Sequence, residues 1–212
     1  MEKLSIIIPV YNEKNTIKSV LDLVRKSDTG NIKKEIIIVD DFSTDGTREI
    51  LKNLENEYKI IYHKKNKGKG GALKTGFKEA TGDYIIIQDA DLEYDPNDYI
   101  KLIERVVENK ADIVFGSRIL RENNVPFSSV YFYGGLAVCK FFNLAFGTKF
   151  SDITTCYKLF PRRMVSELLS CPANDFVFDA VELTHVLSRN GKVIEVPIKY
   201  EARKRKEGKK LS

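Results

Sequence analysis

The sequence predicts an α/β fold, with a mostly parallel central β-sheet flanked by helices in a single domain. Short runs rich in Ile and Val alternate along the chain with segments of helical periodicity. These runs are continuously apolar, which is typical of strands buried on both faces of a parallel sheet. The 212 residues, 42% of them hydrophobic, suffice for a sizeable core, and no internal repeat or low-complexity linker divides them.

The predicted strands are β-rich runs, several of which end in acidic or polar residues. They are LSIIIPV (4–10), EIIIVDD (35–41), KIIYHKK (59–65), DYIIIQDA (83–90) and DIVFGSR (112–118). Because parallel neighbours need a crossover connection, we expect a helix between successive strands.

The predicted helices are identified by apolar residues spaced three and four apart. The first carries Ile17, Val20, Leu21 and Val24, the second lies within 44–58, and the third carries Leu73, Gly76, Phe77 and Ala80. The fourth, 95–111, opens with Asp95 as its N-cap and Pro96 in the first helical position.

Composition argues against several classes of protein. Three scattered cysteines without a CxxC pair favour reduced thiols in a cytosolic setting, and with two histidines a zinc site is not expected. The N-terminal apolar run is too short for a signal peptide, and no apolar run reaches the length of a membrane span. The net charge of +5 is concentrated in RKRKEGKK (203–210), which is either a solvated tail or a phosphate-contacting one.

Acidic residues gather where the predicted strands end. Asp40 lies at the end of its strand, and Asp89, Asp91 and Glu93 would share one face of an extended backbone. Carboxylates brought together in this way need a cation or hydrogen-bond donors. Hard oxygen ligands without nearby Cys or His favour Mg²⁺ or Mn²⁺, and a nucleotide diphosphate would complete such a site.

The segment NKGKGGALKTG (66–76) places glycines and lysines before a predicted helix. It is similar to a phosphate-binding loop, but the GxxxxGK[ST] spacing is missing. The alternative is that its glycines only let the helix start close to the sheet.

Five segments together resemble glycosyltransferase family 2, the inverting GT-A fold. They are SIIIPVYNE, IIIVDDFSTDGT, NKGKGGALKTGF, GDYIIIQDADLEYDP and VFGSR. Two later segments, SDITTCYKLFPRRM (151–164) and VIEVPIKYEARKRKEGKK (193–210), resemble the dolichol-phosphate mannose synthase branch, the polyprenyl-phosphate glycosyltransferases. The resemblance covers essentially the whole chain, in order.

This resemblance implies a nucleotide-sugar site at the edge of the sheet. The implied binding residues are Pro9, Tyr11, Glu13, Ile38, Asp40, Asp89, Ala90, Asp91, Arg118, Arg203 and Lys209 (or its neighbour Lys210). Asp89-Ala90-Asp91 is the DxD motif; Asp91 and Glu93 would hold Mg²⁺ or Mn²⁺, and Asp89 would lie near the sugar or ribose. Arg118 would lie near the phosphates, and the basic tail would close over the diphosphate.

The implied reaction moves mannose or glucose from GDP-mannose or UDP-glucose to a polyprenyl phosphate, either dolichyl or undecaprenyl. A phosphate monoester is largely dianionic at neutral pH, so its oxygen attacks without a strong general base. The implied catalytic residues are Asp89, Asp91, Arg118 and Asp152, the last in a supporting role near the acceptor.

The resemblance also implies a catalytic domain spanning 1–202 and a basic tail spanning 203–212. Aromatic residues within 125–150 would contact the cytosolic face of a membrane; packing of these rings under the sheet is the alternative. No nucleic-acid partner is expected.

Two departures from the family pattern bear on these expectations. Phe42 stands where the family commonly has Gly or Asn after the paired Asp, and the sequence stops at Ser212, where relatives often continue into helices or membrane spans. The main alternative is a family 2 transferase acting on a soluble or polysaccharide hydroxyl, which would require a base. A nucleotidyltransferase would need a signature loop, a nucleic-acid-binding module a recognised motif, and an idle scaffold would have lost the acids.

Overall fold

The computed structural model describes residues 1–121, 124 and 129–203, except for the side chains of 129–132, and within these residues seven strands form one sheet. The strands are β1 (Lys3–Val10), β2 (Lys33–Asp40), β3 (Lys59–Tyr62), β4 (Tyr84–Ile87), β5 (Ile113–Ser117), β6 (Lys158–Pro161) and β7 (Val193–Pro197). Their order is β3-β2-β1-β4-β6-β5-β7, and β6 runs antiparallel to both of its neighbours. The predicted mostly parallel α/β architecture is confirmed.

The helices follow the strands along the chain. They are α1 (Ile17–Lys26), α2 (Thr47–Lys52), α3 (Gly68–Glu79), α4 (Tyr99–Val107), α5 (Ser129–Phe146), α6 (Val165–Leu168) and α7 (Leu183–Asn190). Short 3₁₀ turns precede α4 (Pro96–Asp98) and α6 (Arg162–Met164), and a π-helical turn (Phe178–Glu182) leads into α7. Asp95 caps the turn before α4 by accepting a hydrogen bond from the Asn97 backbone, as predicted.

The apolar stripes of the predicted helices form the core. Every residue of the α1 stripe and of the α3 stripe is buried. The helix predicted within 44–58 is shorter, because α2 ends at Lys52 and the chain continues in tight turns. There the Asn53 side chain donates to the Glu49 carbonyl oxygen at 3.1 Å, a local bond that competes with helix continuation.

The glycines of 66–76 bring α3 against the sheet and a neighbouring loop. A Cβ on Gly76 would lie 2.3 Å from Ile7 Cγ2 in β1, and one on Gly70 would lie 2.7 Å from Phe178 Cβ. Both positions therefore exclude any larger residue. This supports the interpretation in which the glycines let the helix begin close to the sheet.

The strand before the acidic motif is shorter than predicted. β4 ends at Ile87 rather than at residue 90, and Leu92 adopts a positive φ of 64°. The alternation of an extended backbone therefore does not explain how the three acids come together, and that part of the prediction is wrong. Their grouping depends instead on a loop and on contacts made by distant parts of the chain.

Among its described side chains, helix α5 buries a small group and leaves several large apolar residues exposed. Cys139 and Phe142 form a small buried cluster with Ile153, whereas Tyr133, Phe141 and Leu144 are 66%, 72% and 82% exposed. In the described part of the chain, no helix combines the length and apolar character needed to cross a bilayer.

Candidate active site

The carboxyl ends of β1, β2 and β4 lie side by side at one edge of the sheet. Val10 pairs with Asp40, and Ile7 pairs with both Ile37 and Ile87, so the loops that follow these strands are neighbours. Each loop contains a non-glycine residue with positive φ: Asn12 at 53°, Phe42 at 68° and Leu92 at 64°. Such conformations cost energy and are concentrated at binding and catalytic sites.

The loop after β1 supplies Tyr11 and Glu13. The Tyr11 side chain is 41% exposed, and Pro9 is partly exposed at the end of the strand. Glu13 accepts hydrogen bonds from Arg203 Nη1 and Nη2 at 3.0 and 3.1 Å. An anchoring ion pair therefore joins the start of the chain to the segment after β7.

Strand β2 contributes two residues that lie below the surface. Ile38 is fully buried in the core, and Asp40 is 0% exposed and paired with Arg48 at 2.6 Å. Arg48 also lies over the Phe42 ring, 5.4 Å from its centroid. A direct nucleotide contact by Ile38 or Asp40 stays a prediction, and it would require neighbouring side chains to move.

The acidic motif itself is held by contacts from several elements. Asp89 Oδ1 lies 2.7 Å from Lys69 Nζ, and Ala90 is buried. Asp91 Oδ1 accepts a hydrogen bond from the Glu93 backbone N–H at 3.0 Å. Glu93 accepts one from the Tyr200 hydroxyl at 2.5 Å. The motif is thus folded into a compact loop rather than displayed along a strand.

Arg203 brings a positive charge into this acidic cluster. Its backbone N–H donates to Glu93 Oε1 at 3.1 Å, and its guanidinium lies 3.8 Å from Asp91 Oδ2 and 4.0 Å from Glu93 Oε1. The segment reaches the cluster because Tyr200 forms a β-bridge with Tyr94 and the Glu201 N–H donates to the Glu93 carbonyl oxygen at 2.9 Å. In this structure an arginine of the C-terminal segment therefore offsets part of the negative charge of Asp91 and Glu93.

The pKa of Asp91 is raised to about 7. Burial is the main cause, and the negative charges of Asp89 and Glu93 add to it, while the Glu93 backbone N–H and Arg203 act in the opposite direction. A bound cation would stabilise the ionised form of such a carboxylate, because it offsets the repulsion from the neighbouring negative charges.

Arg118 and Asp152 form a paired unit at the end of β5. Arg118 Nε and Nη2 donate to the two Asp152 carboxylate oxygens at 2.7 and 2.8 Å. The Arg118 guanidinium carbon also lies over the Tyr200 ring, 5.1 Å from the ring centroid. Burial would raise the pKa of Asp152, but Arg118 outweighs it and holds that pKa below its ordinary value. Asp152 is therefore an ionised anchor for Arg118 and is poorly suited to accept a proton.

Asp179 and Lys158 form a pair of buried charges next to the motif that was not predicted from the sequence. Asp179 Oδ2 lies 2.9 Å from Lys69 Nζ, and its other oxygen lies 3.5 Å from Lys158 Nζ. Lys158 is 0% exposed and Asp179 1%. One signal was available: the run CYKLF places a lysine among apolar residues, where it must find a buried acid.

Asp91 and Glu93 have the chemistry that Mg²⁺ or Mn²⁺ requires. Across residues 1–121, 124 and 129–203, no three His, Cys, Asp or Glu side chains are grouped as a metal site. Two hard carboxylates within 4.0 Å of one cationic group nevertheless fit the pattern in which substrate phosphates supply the remaining ligands. Lys209 and Lys210 lie outside the described residues.

The sequence matches a known family over most of its length. Residues 5–169 match the family described as glycosyl transferase family 2. The dolichol-phosphate mannosyltransferase of Pyrococcus furiosus is 39% identical over 125 residues, which are 58% of this chain and 35% of that protein. A UDP-N-acetylglucosamine–dolichyl-phosphate N-acetylglucosaminyltransferase of Methanococcus voltae is 36% identical over 132 residues, covering 54% of this chain and 51% of that protein. The chain thus spans about half, or less, of the length of these relatives.

Solved structures share the fold. Glucosyl-3-phosphoglycerate synthase from Mycobacterium tuberculosis, in complex with UDP, aligns with a TM-score of 0.71 and 20% identity over 96% of this chain and 72% of that chain. S. aureus TarS aligns with a TM-score of 0.66 and 19% identity over 95% of this chain and 36% of that chain. The architecture is the GT-A fold, and the chain belongs to glycosyl transferase family 2.

Proposed function

We propose that this chain transfers a hexose, mannose or glucose, from a nucleotide-diphosphate sugar to a polyprenyl phosphate with the help of Mg²⁺ or Mn²⁺. The carrying observation is the cluster of Glu13, Asp91 and Glu93 around Arg203 at the carboxyl edge of a parallel sheet. Ligands of open α/β sheets bind at this edge. The similarity to two dolichyl-phosphate transferases supports the class of acceptor.

The donor would lie across the edge with its diphosphate at the acidic cluster. Asp91 and Glu93 would hold the metal ion, which supplies positive charge to the departing diphosphate. Arg203 would exchange its carboxylate partners for phosphate oxygens, which bind a guanidinium in the same forked geometry. Two structural neighbours bind UDP, and one sequence relative is a mannosyltransferase, so both donors are to be tested.

Arg118 would lie near the donor phosphates, as predicted, with Asp152 in a supporting role near the acceptor phosphate. The bidentate contact with Asp152 fixes the guanidinium plane, and Thr154 accepts from Nη2 at 2.6 Å. Because the phosphate oxygen is itself anionic, the reaction needs orientation and charge compensation more than proton removal. The lowered pKa of Asp152 is consistent with a mechanism that uses no general base.

The exposed side of α5 is the proposed contact with the cytosolic face of a membrane. Tyr133, Phe141 and Leu144 present aromatic and aliphatic surface, as interfacial helices do. The other aromatic residues predicted for this role are Phe127, outside the described residues; Tyr131 and Phe132, whose side chains are not described; Phe142, which is buried; and Phe146, which is exposed. The predicted boundary at residue 202 is kept as part of this proposal.

The reaction is tested by incubating the chain with labelled GDP-mannose or UDP-glucose and dolichyl or undecaprenyl phosphate. Label should enter the organic phase with Mg²⁺ or Mn²⁺ and not with EDTA. Transfer only to a water-soluble hydroxyl acceptor would favour the alternative family 2 activity. Absence of transfer in every combination, together with no nucleotide-induced rise in unfolding temperature, would contradict the proposal.

The membrane contact is tested by flotation with vesicles containing polyprenyl phosphate. Phe141→Asp and Leu144→Asp should reduce co-flotation, because each places a charge on the apolar surface. Leu23→Asp is the matched control, since Leu23 is 41% exposed on α1. Equal flotation of all variants would contradict the role of α5.

A further inference from the structure

Four charged side chains form a continuous line of ion pairs beneath the acidic motif. In order they are Asp89, Lys69, Asp179 and Lys158. The first two are partly exposed and the last two are buried, and we call the four the buried charge chain. The nitrogen–oxygen distances along it are 2.7, 2.9 and 3.5 Å. Positive and negative groups alternate, so each inner member is compensated on both sides.

The far end of the buried charge chain is fixed in the core. Lys158 Nζ donates to the Thr155 carbonyl oxygen at 2.6 Å and to the Asp179 carbonyl oxygen at 3.0 Å. Lys158 lies in β6, and Asp179 lies in the π-helical turn before α7. Such turns are rare and frequently occur at functional sites. Asp179 is therefore a rigid anchor for Lys69.

The near end is fixed through the backbone. Lys69 stands between Gly68, whose φ is +79°, and Gly70. A Cβ on Gly68 would lie 2.6 Å from the Asn174 carbonyl oxygen, and that same oxygen accepts a hydrogen bond from the Gly71 N–H at 2.9 Å. The first turn of α3 is thus held against the segment that leads to Asp179, and the ammonium group of Lys69 is held between two carboxylates.

We infer that Lys69 is a positioning residue that holds the Asp89 carboxylate in its reactive orientation, with Asp179 as its anchor. This inference rests on the proposed function, in which Asp89 lies close to the donor sugar or ribose. Lys69 occupies one Asp89 oxygen at 2.7 Å and offsets one negative charge of the acidic motif. Without it, the Asp89 side chain could rotate, and its charge would add to the repulsion on Asp91 and Glu93.

A purely structural role makes a different prediction. The Asp179–Lys158 pair lies in the core, whereas the Lys69–Asp89 contact reaches the motif itself. If Lys69 only stabilised the fold, its loss would lower the unfolding temperature and leave kcat per folded molecule unchanged. If it positions Asp89, kcat falls even where the protein is fully folded.

The test compares Lys69→Met with Lys78→Met in the transfer assay. Lys78 is exposed on α3. It is nine residues after Lys69, a separation that places it on the opposite face of the helix. We expect Lys69→Met to lower kcat by about 10- to 100-fold, with the donor KM changed less than about threefold, because misplacement of a group near the reacting atoms costs rate more than binding. Lys78→Met should retain the wild-type kcat.

Chemical rescue provides a second readout for the same position. Lys69→Ala should regain about tenfold in rate with ethylammonium, which can enter the vacated space and contact both carboxylates, and nothing with ethanol of similar size. In an Asp89→Asn background, Lys69→Met should cause little further loss of kcat, because each change already removes the same Lys69–Asp89 contact. This comparison holds even if Lys69→Met lowers stability.

The outcomes separate this inference from the proposed function. No transfer by the wild-type chain overturns both. Transfer by the wild type with an unchanged kcat in folded Lys69→Met overturns the positioning role alone. Additive losses from Lys69→Met and Asp89→Asn, or equal effects of ethylammonium and ethanol, would also overturn it.

Discussion

At the amino ends of the strands, Glu35 accepts hydrogen bonds from Lys3 Nζ, the Ser5 hydroxyl, and both the hydroxyl and backbone N–H of Thr81, at 2.5 to 2.8 Å. At the carboxyl ends, Asp91 has one backbone donor at 3.0 Å and Arg203 at 3.8 Å. Burial opposes ionisation of Glu35, yet its hydrogen bonds lower its pKa to about 2, whereas the pKa of Asp91 is raised to about 7. The two ends of the same sheet thus shift the pKa of a carboxylate in opposite directions.

Strained backbone conformations are also more frequent at the carboxyl ends of the strands than at the amino ends. Among the described residues, the non-glycine positions with positive φ are Asn12, Phe42 and Leu92, in loops at the carboxyl ends, and Asn109, after α4. A left-handed conformation costs a non-glycine residue about 1 to 2 kcal/mol. Asn109 precedes β5 and so lies at the amino edge, but asparagine adopts this conformation more readily than Phe42 or Leu92, which are both at the carboxyl ends. The carboxyl ends therefore hold charge and strain that a bound ligand can relieve.

The largest expected effect is on the reaction. Asp91→Ala should lower transfer by at least about 100-fold, because it removes a proposed metal ligand that acts on the leaving diphosphate. The free energy of unfolding at pH 7.5 should not fall, since the change also removes an ionised group held near like charges. Metal-dependent transfer and urea unfolding measure the two quantities.

A control carboxylate makes this result specific. Asp22 lies on α1 in an exposed pair with Arg25, and Asp22→Ala should leave both transfer and stability nearly unchanged. Retained metal-dependent transfer by Asp91→Ala would contradict the metal assignment, and a large loss of stability would contradict the contrast between the two ends.

The second effect is the reverse, on stability without activity. Glu35→Gln should lower the free energy of unfolding by about 1 to 3 kcal/mol, because it removes the charge from hydrogen bonds that include a lysine. Transfer should be unchanged, since Glu35 lies at the opposite end of the sheet from the acidic motif. Loss of activity in the folded variant would show that the two ends are coupled.

Acid unfolding gives the same comparison its pH dependence. The folded pKa of Glu35, about 2, is below its ordinary value of 4.5, so its contribution is present above about pH 4.5 and is lost as the pH falls towards 2. The stability difference between wild type and Glu35→Gln should therefore shrink across that interval. A difference that is constant from pH 5 to pH 2 would contradict the pKa shift.

The amino-acid sequence was sufficient for the parallel part of the sheet because its evidence is local. Ile and Val runs mark β1 to β5, and the buried stripes of α1 and α3 follow from spacing alone. Strand β6 was missed because it has four residues, of which the first is Lys158 and the last Pro161, and because its antiparallel insertion between β4 and β5 depends on tertiary contacts. Strand β7 was also missed, because its apolar pattern is interrupted by Glu195, whose carboxylate accepts a hydrogen bond from the distant Ser151 backbone at 2.8 Å.

The site was predictable to the extent that it follows strand ends. Asp89 and Asp91 lie after β4 as expected, but their neighbours come from residues far away in sequence. Arg203 and Glu93 are 110 residues apart, and no local pattern indicates that the chain returns to this loop. The resemblance to a family supplied Arg203 as a phosphate ligand; its ion pair with Glu13 required the structure.

The third prediction concerns the positive charge of Arg203. Arg203→Gln should raise the affinity for Mn²⁺ without nucleotide about three- to tenfold, because it removes a competing cation worth about 1 kcal/mol next to Asp91 and Glu93. Affinity for the nucleotide diphosphate should fall. Mn²⁺ titration followed by electron paramagnetic resonance measures the first quantity, and a lower Mn²⁺ affinity in the variant would contradict it.

The smallest effect tests the strain directly, through Phe42→Gly. Glycine adopts the φ of 68° freely, which should recover about 1 to 2 kcal/mol. Against this stand the entropy of a more flexible unfolded chain and the lost contact between Phe42 and Arg48, each worth about 0.5 to 1 kcal/mol. The net change in unfolding free energy should therefore be within about 1 kcal/mol of zero.

Phe176→Gly is the matched control, because Phe176 is 50% exposed, close to the 40% of Phe42, and lacks a positive φ. It incurs the entropy cost without relief of strain, so urea unfolding should show it to be less stable than Phe42→Gly by about 1 kcal/mol. If Phe42→Gly were instead the less stable variant, the stacking of Arg48 would outweigh the strain. The turn after β2 would then be stabilised by its phenylalanine, and backbone strain would no longer distinguish the two ends of the sheet at this position.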